Sequence, residues 1–576
     1  MKNFRSWLKL WALSGMLSLF ATGSNFLSNR FEVTVQDLAL PVILDLLAAA
    51  LIAGVFWRLW RRDRLAGTVA TGLSTILLTG GYDDRLTAIF PLLKALSPLP
   101  KLGGADIAVL SLVFIALILW ICGRLGRAAS ALATRRHWKA LELTKGLFVA
   151  VGATFASLYL PIMADMVAEW PQFFYRPPAL ETTKTQATNK PDIYYIVLDR
   201  YASQDVLQAQ FGFDNSNFLA YLHDNGYYTN PSAHNNYPYT TMSIASTMSA
   251  GYLNDQVKQF GNASHQTTAP FNETIRDSPV ARALRGIGYQ YNLVGNWYET
   301  SNTSYVADAT YQQTGQLTVL GQTIALNNFA KNQLLQSPLW RFLQGGLNLW
   351  GFKALTYTNL GDIDMTHYAL QSLKDLAAKP AGGRFIFAHI LVPHDPYYFN
   401  ADGSLNINMG SDDNGEAVKQ KYLNQVKYIN SQMTGILSQI KTAGHGQSIV
   451  VLQADEGPYP FQINDGIFDE ADVDGELGTG DMRAWSDADL AMKYGNLAAY
   501  YLPGTDLAAD HTGADSVNIF RLILNTYFDQ KLAYLPQCYY AYPNGRDEPM
   551  AFTDITARLT GHAADARCQA NGSVSP

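Results

Sequence analysis

The amino-terminal third of the chain contains five apolar segments of the length that a helix needs to cross a lipid bilayer. They cover residues 7–26, 38–60, 65–81, 107–123 and 147–167, and the third is the least apolar because it is rich in Gly and Thr. A membrane-spanning helix requires roughly 20 mostly apolar residues. The sequence therefore predicts an α-helical transmembrane bundle of about five helices over residues 1–170.

The distribution of Lys and Arg predicts the orientation of this bundle, because cytoplasmic loops are enriched in these residues. Three basic clusters fall on the same side of the predicted bundle: Lys2, Arg5 and Lys9; Arg58, Arg61, Arg62 and Arg64; and Arg124, Arg127, Arg135, Arg136, Lys139 and Lys145. The amino terminus is then cytoplasmic and everything after residue 167 is extracytoplasmic. A cleaved signal peptide is a weaker interpretation of the first segment, since four more apolar segments follow it.

The composition changes after the last apolar segment. Residues 175–192 are rich in Pro, Thr and Lys and show no apolar periodicity, which is typical of an extended linker. We expect a transmembrane region at 1–170, a linker at 171–191, an extracytoplasmic domain at 192–530 and a carboxyl-terminal extension at 531–576. The net charge of -6 argues against nucleic-acid binding.

Two β-rich segments of the predicted outer domain each end on acidic residues. Residues 193–198 precede Asp199, and the segment that begins at Val450 precedes Asp455 and Glu456. Uncharged β-rich segments are typical of central strands in a parallel sheet, and the carboxyl ends of such strands meet at one edge. Each acid alone is more typical of a solvated turn or a helix cap. Together, the three carboxylates predict a metal site.

Two further elements carry candidate reactive groups. Thr240 and Thr241 precede a segment with helical periodicity, where a Thr is ordinarily a cap but can also act as a nucleophile beside the helix dipole. A predicted strand at 385–392 is followed by His394, which could donate to an anionic oxygen of a substrate. His389, inside that strand, is interpreted as a core histidine.

The order of these four elements resembles the alkaline phosphatase superfamily, and in particular its membrane-anchored, sulfatase-like branch. That branch includes lipoteichoic acid synthases and phosphoethanolamine transferases. The resemblance covers residues 192–528, and the stretches "NLAAYYLPG" and "SVNIFRLILNTYF" are similar to the last core strand and following helix of the branch. It implies an α/β alkaline-phosphatase-like domain with a mostly parallel central sheet.

The resemblance also implies roles for individual residues. Asp199 and Asp455 are similar to metal ligands, and Thr240 to a nucleophile whose oxygen also touches the metal, with Thr241 as the alternative. His394 is similar to the histidine that contacts the substrate phosphate. Glu456 stands where the family usually has His, so an all-oxygen ligand set would favour Mn²⁺ or Mg²⁺ over Zn²⁺. If Glu456 does not bind metal, a pseudoenzyme is the other outcome.

The implied activity is that of a metal-dependent hydrolase or transferase of the cell envelope. We expect it to move a phosphate-linked group from a lipid-linked donor to an envelope glycan acceptor through a phospho-threonine intermediate. The alternatives are a non-catalytic envelope scaffold that keeps the fold and a sulfate-ester hydrolase. No Cys-x-Pro-x-Arg stretch occurs in the chain, so the formylglycine chemistry of true sulfatases is not indicated.

Two of the three cysteines, Cys538 and Cys568, lie in the predicted extracytoplasmic part of the chain. An oxidising compartment favours a disulfide between them. We expect this bond to hold the carboxyl-terminal extension on the domain, with no part for the extension in the chemistry.

Overall fold

The fold is described from a computed structural model of the chain. It describes residues 2–28, 38–60, 62–79, 105–173, 175–182, 190–260, 268–313, 316–319, 322–326, 329–331, 333, 347–349, 352–358, 361–406, 415–458, 482–541 and 551–570. The chain divides into two compact units. The first comprises residues 1–170 and 314–360, and the second comprises residues 171–313 and 361–576. The domain bounds predicted from the sequence stay a prediction.

The strands are β1 (Ile193–Leu198), β2 (Tyr228–Thr229), β3 (Gln290–Val294), β4 (Ala309–Tyr311), β5 (Gln316–Val319), β6 (Gln322–Ala325), β7 (Leu347–Leu349), β8 (Phe352–Thr358), β9 (Arg384–Ile390), β10 (Ile449–Gln453), β11 (Ala498–Tyr501), β12 (Tyr540–Ala541) and β13 (Thr553–Asp554).

The helices are α1 (Lys2–Ser28), α2 (Ala39–Leu59), α3 (Arg64–Thr79), α4 (Ala105–Arg135), α5 (Ala140–Phe173), α6 (Gln204–Phe211), α7 (Ser216–Asp224), α8 (Thr240–Ser249), α9 (Asn254–Phe260), α10 (Ala269–Arg276), α11 (Pro279–Ile287), α12 (Glu299–Asn302), α13 (Asp362–Ala377), α14 (Gly415–Ala443), α15 (Asp487–Tyr494), α16 (Ile519–Phe528), α17 (Thr556–Thr560) and α18 (Ala566–Ala570), together with a short 3₁₀ helix at Met482–Ala484.

The first unit is built on long apolar helices. In the described part of the chain, three helical stretches are long and apolar enough to cross a membrane: Ala39–Leu59, Ile115–Arg135 and Ala140–Ser157. Apolar helices therefore precede the α/β domain as predicted, while the count of about five spans stays a prediction. A side chain at Gly126 of α4 would place its Cβ 2.4 Å from the carbonyl oxygen of Ala66, so only Gly permits the close approach of α3 and α4.

The same unit contains a four-stranded antiparallel sheet with the order β6-β5-β8-β7. All four strands come from residues 314–360, a segment that the sequence analysis assigned to the outer domain. The strands are short and carry few β-branched runs, so the sequence pattern gave no separate signal for this sheet.

The second unit is built around a seven-stranded sheet with the order β2-β11-β10-β1-β9-β3-β4. Strands β10, β1, β9, β3 and β4 are mutually parallel. At one edge β11 pairs antiparallel with β10 and β2 pairs antiparallel with β11, so β11 alone runs against the other six strands of this sheet. The predicted α/β fold with a mostly parallel sheet is confirmed. All six residues of β1 are buried, as expected for an uncharged strand covered by helices on both faces.

Each face of this sheet has its own apolar core. On one face, Val197 and Phe387 belong to a core that includes Met242 and Ile244 of α8. On the other face, the core contains residues of α13 and α14, and Leu198 contributes from β1. Alternate residues of a strand point to opposite faces, so residues in register with Val197 lie on the α8 side.

The carboxyl-terminal extension folds onto the second unit and is held by a disulfide between Cys538 and Cys568, as predicted. Both cysteines are fully buried, and they belong to the core that contains α8. Strands β12 and β13 pair antiparallel within this extension.

Candidate metal and nucleophile site

The register of the central strands brings together three side chains that could bind a metal ion: Asp199, Asp455 and His389. Val197 of β1 pairs with Gln453 of β10 on one side and with His389 of β9 on the other. Two residues further along, Asp199 and Asp455 lie beyond the ends of β1 and β10 at the same level of the sheet. Because side chains alternate with period two, Asp199, Asp455 and His389 all lie on the α8 face.

These three residues form a buried cluster that could hold a metal ion, with one ligand atom from each lying within 4.8 Å of the others. His389 Nε2 lies 3.3 Å from Asp199 Oδ2 and 3.9 Å from Asp455 Oδ2. Among the described residues, Asp199 Oδ1 and Asp455 Oδ2 are buried without a hydrogen-bond partner. Buried carboxylate oxygens in this state are costly unless a cation compensates them, so the residues present fit a divalent metal.

His389 is the member of this cluster that the sequence analysis missed. It is fully buried, which agrees with its interpretation as a core histidine, but its Nε2 faces the two carboxylates. Its Nδ1 is 2.8 Å from Ser301 Oγ, and Asn296 donates to both Ser301 Oγ and the His389 carbonyl. Such partners fix the orientation of a metal-binding imidazole. The available sequence signal was a polar residue inside an otherwise apolar buried strand.

Glu456, predicted as a third acidic ligand, lies outside the cluster of candidate ligands. Its Oε1 is 2.9 Å from Lys493 Nζ and 3.1 Å from Arg200 Nε, so two cations bind the same oxygen. Lys493 is fully buried, and its Nζ also lies 5.8 Å from the centre of the Tyr239 ring. The candidate cluster therefore combines two carboxylates with one imidazole nitrogen, a ligand type that also suits Zn²⁺.

The two threonine candidates face different partners. Thr240 is the first residue of α8, and an interaction with its side chain partly opposes the rise in the pKa of Asp455. Thr241 Oγ1 instead lies 2.7 Å from the hydroxyl of Tyr298. Helix N-termini present unsatisfied N–H groups and a positive dipole end, which favour an anionic group at that position. Of the two, Thr240 is the hydroxyl placed beside the candidate metal ligands.

His394 and Arg200 lie at the outer edge of this cluster. The Nδ1 atom of His394 contacts the carbonyl oxygen of Asp395 and lies 3.3 Å from its Oδ1. Arg200 Nη1 lies 2.6 Å from the same carboxylate, and the Arg200 backbone N–H donates to Asp455 Oδ1. Arg200 thus connects Asp395, Asp455 and Glu456, which ties the His394 turn to the cluster.

The electrostatics of the cluster are uneven. Burial raises the pKa of Asp455 to about 7, and the negative charges of Asp199 and Glu456 add to this rise. Burial would also raise the pKa of Asp199, but the nearby His394, His389 and Arg200 outweigh it and lower the pKa to about 2. Burial lowers the pKa of Lys493 to about 8, partly opposed by Glu456. The pKa values of the two aspartates are therefore shifted in opposite directions.

A family model described as "Sulfatase" matches residues 191–510, which is more than half of the chain. No curated protein shows a significant sequence match. Similar solved structures include the periplasmic domain of EcEptC from Escherichia coli (11% identity, TM-score 0.39, 68% of this chain and 99% of that chain). They also include the lipooligosaccharide phosphoethanolamine transferase A from Neisseria meningitidis (11% identity, TM-score 0.38, 90% and 95%) and a putative sulfatase from Bacteroides thetaiotaomicron (10% identity, TM-score 0.36, 64% and 84%).

Proposed function

Because this chain belongs to the sulfatase family, we propose that it is a membrane-anchored, metal-dependent enzyme that transfers or hydrolyses a phosphate-linked group. The donor is lipid-linked and the acceptor is an envelope glycan or water. The observation that carries this proposal is the buried cluster of Asp199, His389 and Asp455. Thr240, the first residue of α8, interacts with Asp455 of this cluster. The amino terminus is cytoplasmic and the second unit extracytoplasmic in this proposal.

Asp199, His389 and Asp455 would hold the metal, and Glu456 with its Lys493 partner would stand beside it. Glu456 in place of the histidine usual in the family favours Mn²⁺ or Mg²⁺, while the His389 nitrogen also suits Zn²⁺. When bound, the metal would act as a Lewis acid toward a phosphoryl oxygen and favour the ionised form of the nucleophile.

In the first step, Thr240 Oγ forms a bond to phosphorus while the bond from phosphorus to the leaving oxygen breaks. Asp455 interacts with the Thr240 side chain, and in this proposal it takes the proton of the Thr240 hydroxyl. The Nδ1 atom of His394 is held by Asp395, which leaves Nε2 as the nitrogen that donates a proton to the leaving oxygen. The oxygen of an acceptor hydroxyl or water then forms a bond to phosphorus while the bond from phosphorus to Thr240 Oγ breaks. His394 takes the proton of the acceptor and Asp455 returns its proton to Thr240, which regenerates the enzyme.

The test uses the full chain in detergent, loaded with Mn²⁺ and incubated with total envelope lipids. Intact-mass measurement should detect a covalent adduct whose added mass identifies the transferred group. Thr240→Ala should abolish both the adduct and turnover, whereas the matched variant Thr241→Ala should retain both. Full turnover by Thr240→Ala would overturn the assignment of the nucleophile, and adduct loss only in Thr241→Ala would transfer the role to that residue.

A sulfate-ester hydrolase is the second candidate, and the family to which the chain belongs favours it. Turnover of 4-nitrophenyl sulfate but not of bis(4-nitrophenyl) phosphate would support this alternative. A non-catalytic scaffold would turn over neither compound. Stoichiometric metal in the wild-type chain that is lost in Asp455→Ala would count against a scaffold.

A further inference from the structure

The carboxyl-terminal extension contacts the loop that leads into the candidate nucleophile. Asn236 lies four residues before Thr240 and is almost fully buried. Its Nδ2 donates to the Cys538 carbonyl at 2.8 Å, and its own carbonyl accepts from the Tyr540 backbone N–H at 3.0 Å. Loop and extension are therefore joined by two hydrogen bonds in opposite directions, with the disulfide cysteine at the junction.

The same part of the extension also contacts the end of α15, which carries the partner of Glu456. The hydroxyl of Tyr494 donates to the Tyr540 carbonyl at 2.6 Å, and Tyr494 directly follows Lys493. The Asn235 backbone N–H in turn donates to the Tyr494 carbonyl at 2.9 Å. Tyr540 thus lies between two segments, one leading to Thr240 and one ending at Tyr494, the residue after Lys493.

Packing around Tyr540 extends this connection. The Tyr237 ring stacks on the Tyr540 ring with their centroids 5.6 Å apart. The Tyr540 hydroxyl donates to the Cys568 carbonyl at 3.2 Å, which couples the ring to the disulfide. Beyond the other end of α8, the Tyr252 hydroxyl accepts from the Cys538 backbone N–H at 2.8 Å. The extension therefore contacts the chain on both sides of α8.

We propose that residues 536–541 form a positioning element for the catalytic site, holding the Thr240 loop and the Lys493–Glu456 pair in register. The cysteine at position 538 anchors this element through its disulfide. The element contributes no reacting atom and acts through Asn236 and Tyr494. This inference rests on the proposed function for its catalytic consequence, but its structural content can be tested separately. Small displacements of a reacting group cost large factors in rate, since reaction requires a near-attack geometry.

Asn236→Ala in the full-length protein is the direct test, and Asn518→Ala is its matched control. Asn518 precedes α16 and holds the same extension at a different place, donating to the Leu535 carbonyl at 3.0 Å and accepting from the Leu535 N–H at 2.8 Å. Both variants remove an amide that bonds to the backbone of the extension. A purely stabilising extension would respond equally to the two.

We expect Asn236→Ala to lower kcat on bis(4-nitrophenyl) phosphate roughly tenfold and to weaken Mn²⁺ binding severalfold. Hydrogen exchange of the amides of residues 237 and 239–243 should accelerate roughly tenfold, because the loop loses its side-chain bond to the Cys538 carbonyl and keeps only the backbone bond to Tyr540. Asn518→Ala should stay within twofold of wild type in all three measurements, even if its melting temperature falls as far as that of Asn236→Ala. Equal responses of the two variants would overturn the proposal.

Tyr494→Phe is the second variant, to be used if Asn236→Ala does not fold. It removes only one hydroxyl, so the chain keeps its packing. It should lower kcat and speed exchange at residues 237 and 239–243 about threefold, by loss of one hydrogen bond to Tyr540. Unchanged kcat and exchange in Tyr494→Phe would also count against the proposal. If the wild type turns over no probe, the proposed function fails, while the exchange comparison still decides whether the extension positions the loop.

Discussion

Removal of the Lys493 ammonium should destabilise the second unit strongly, because it leaves Glu456 buried with a diminished counter-charge. Lys493 Nζ lies 2.9 Å from Glu456 Oε1, and the two side chains are 0% and 2% exposed. At an effective dielectric constant of 20, charges at that distance attract by roughly 6 kcal/mol, much of which is offset by desolvation. Breaking buried pairs typically costs about 3–5 kcal/mol.

The expected cost of Lys493→Met lies at the lower end of that range, about 3 kcal/mol, because Arg200 Nε stays 3.1 Å from the same oxygen. The double variant Lys493→Met with Glu456→Gln removes both charges and should cost only about 1–2 kcal/mol. Lys374→Met is the control, since Lys374 Nζ contacts the neutral Gln432 Oε1 at 2.7 Å, and should cost less than about 1 kcal/mol.

The assay is thermal unfolding of the full chain in detergent, followed by tryptophan fluorescence in the presence of a chelator so that metal affinity does not contribute. Each kcal/mol corresponds to a shift of roughly 2–4 °C for a large domain. The decisive comparison is between single and double variants at one protein concentration. If the double variant melts at or below the temperature of Lys493→Met, the loss comes from packing of the lysine stem and the electrostatic reasoning is refuted.

Three further predictions concern the metal and the disulfide. Ser301→Ala should weaken Mn²⁺ binding at least about tenfold by releasing the His389 ring, as measured by calorimetry, and unchanged affinity would exclude His389 as an oriented ligand. Mn²⁺ at 100 times its Kd should stabilise the wild-type chain by about 2.7 kcal/mol over the chelated form, and an unchanged melting temperature would contradict a folded-state metal site. Thiol labelling of the non-reduced, unfolded chain should modify Cys122 alone, and three labelled thiols would contradict the Cys538–Cys568 bond. Cys568→Ser should lower the free energy of unfolding by roughly 3 kcal/mol.

The fold followed from local sequence patterns where those patterns are strong. The uncharged run at β1 and its counterpart at β10 predicted buried parallel strands, and the acids that follow them, Asp199 and Asp455, lie together as expected. The similarity to sulfatase-like proteins is confirmed by the family model. For β1 and β10 the sequence signal is local, because burial on both faces of a strand requires a continuous run of apolar residues.

The position of His389 could not be derived in the same way. Its neighbourhood depends on which strand lies beside β1, and β9 reaches that position only through the register of the whole sheet. A single polar residue in an apolar strand is compatible with a satisfied core histidine and with a ligand. The sequence also could not decide between Thr240 and Thr241. Adjacent residues of a helix point in different directions, so a shift of one residue in the start of the helix would exchange their partners. The Tyr298 hydroxyl, which binds Thr241, comes from a separate loop.

Glu456 forms ion pairs with Lys493 and Arg200, and these pairs change how its presence beside the candidate metal site is interpreted. Read alone, the replacement of a family histidine by Glu456 suggests either a harder metal site or a lost one. In the folded chain its negative charge meets Lys493 from α15 and Arg200 from the turn after β1. A buried carboxylate beside two aspartates repels them, which disfavours a third negative charge at the candidate metal site. Lys493 and Arg200 contact one oxygen of Glu456, and their positive charges oppose this repulsion. Glu456 and Lys493 therefore act as one buried ion pair, and the effect of a variant at either position can be assigned to the site only by comparison with the double variant.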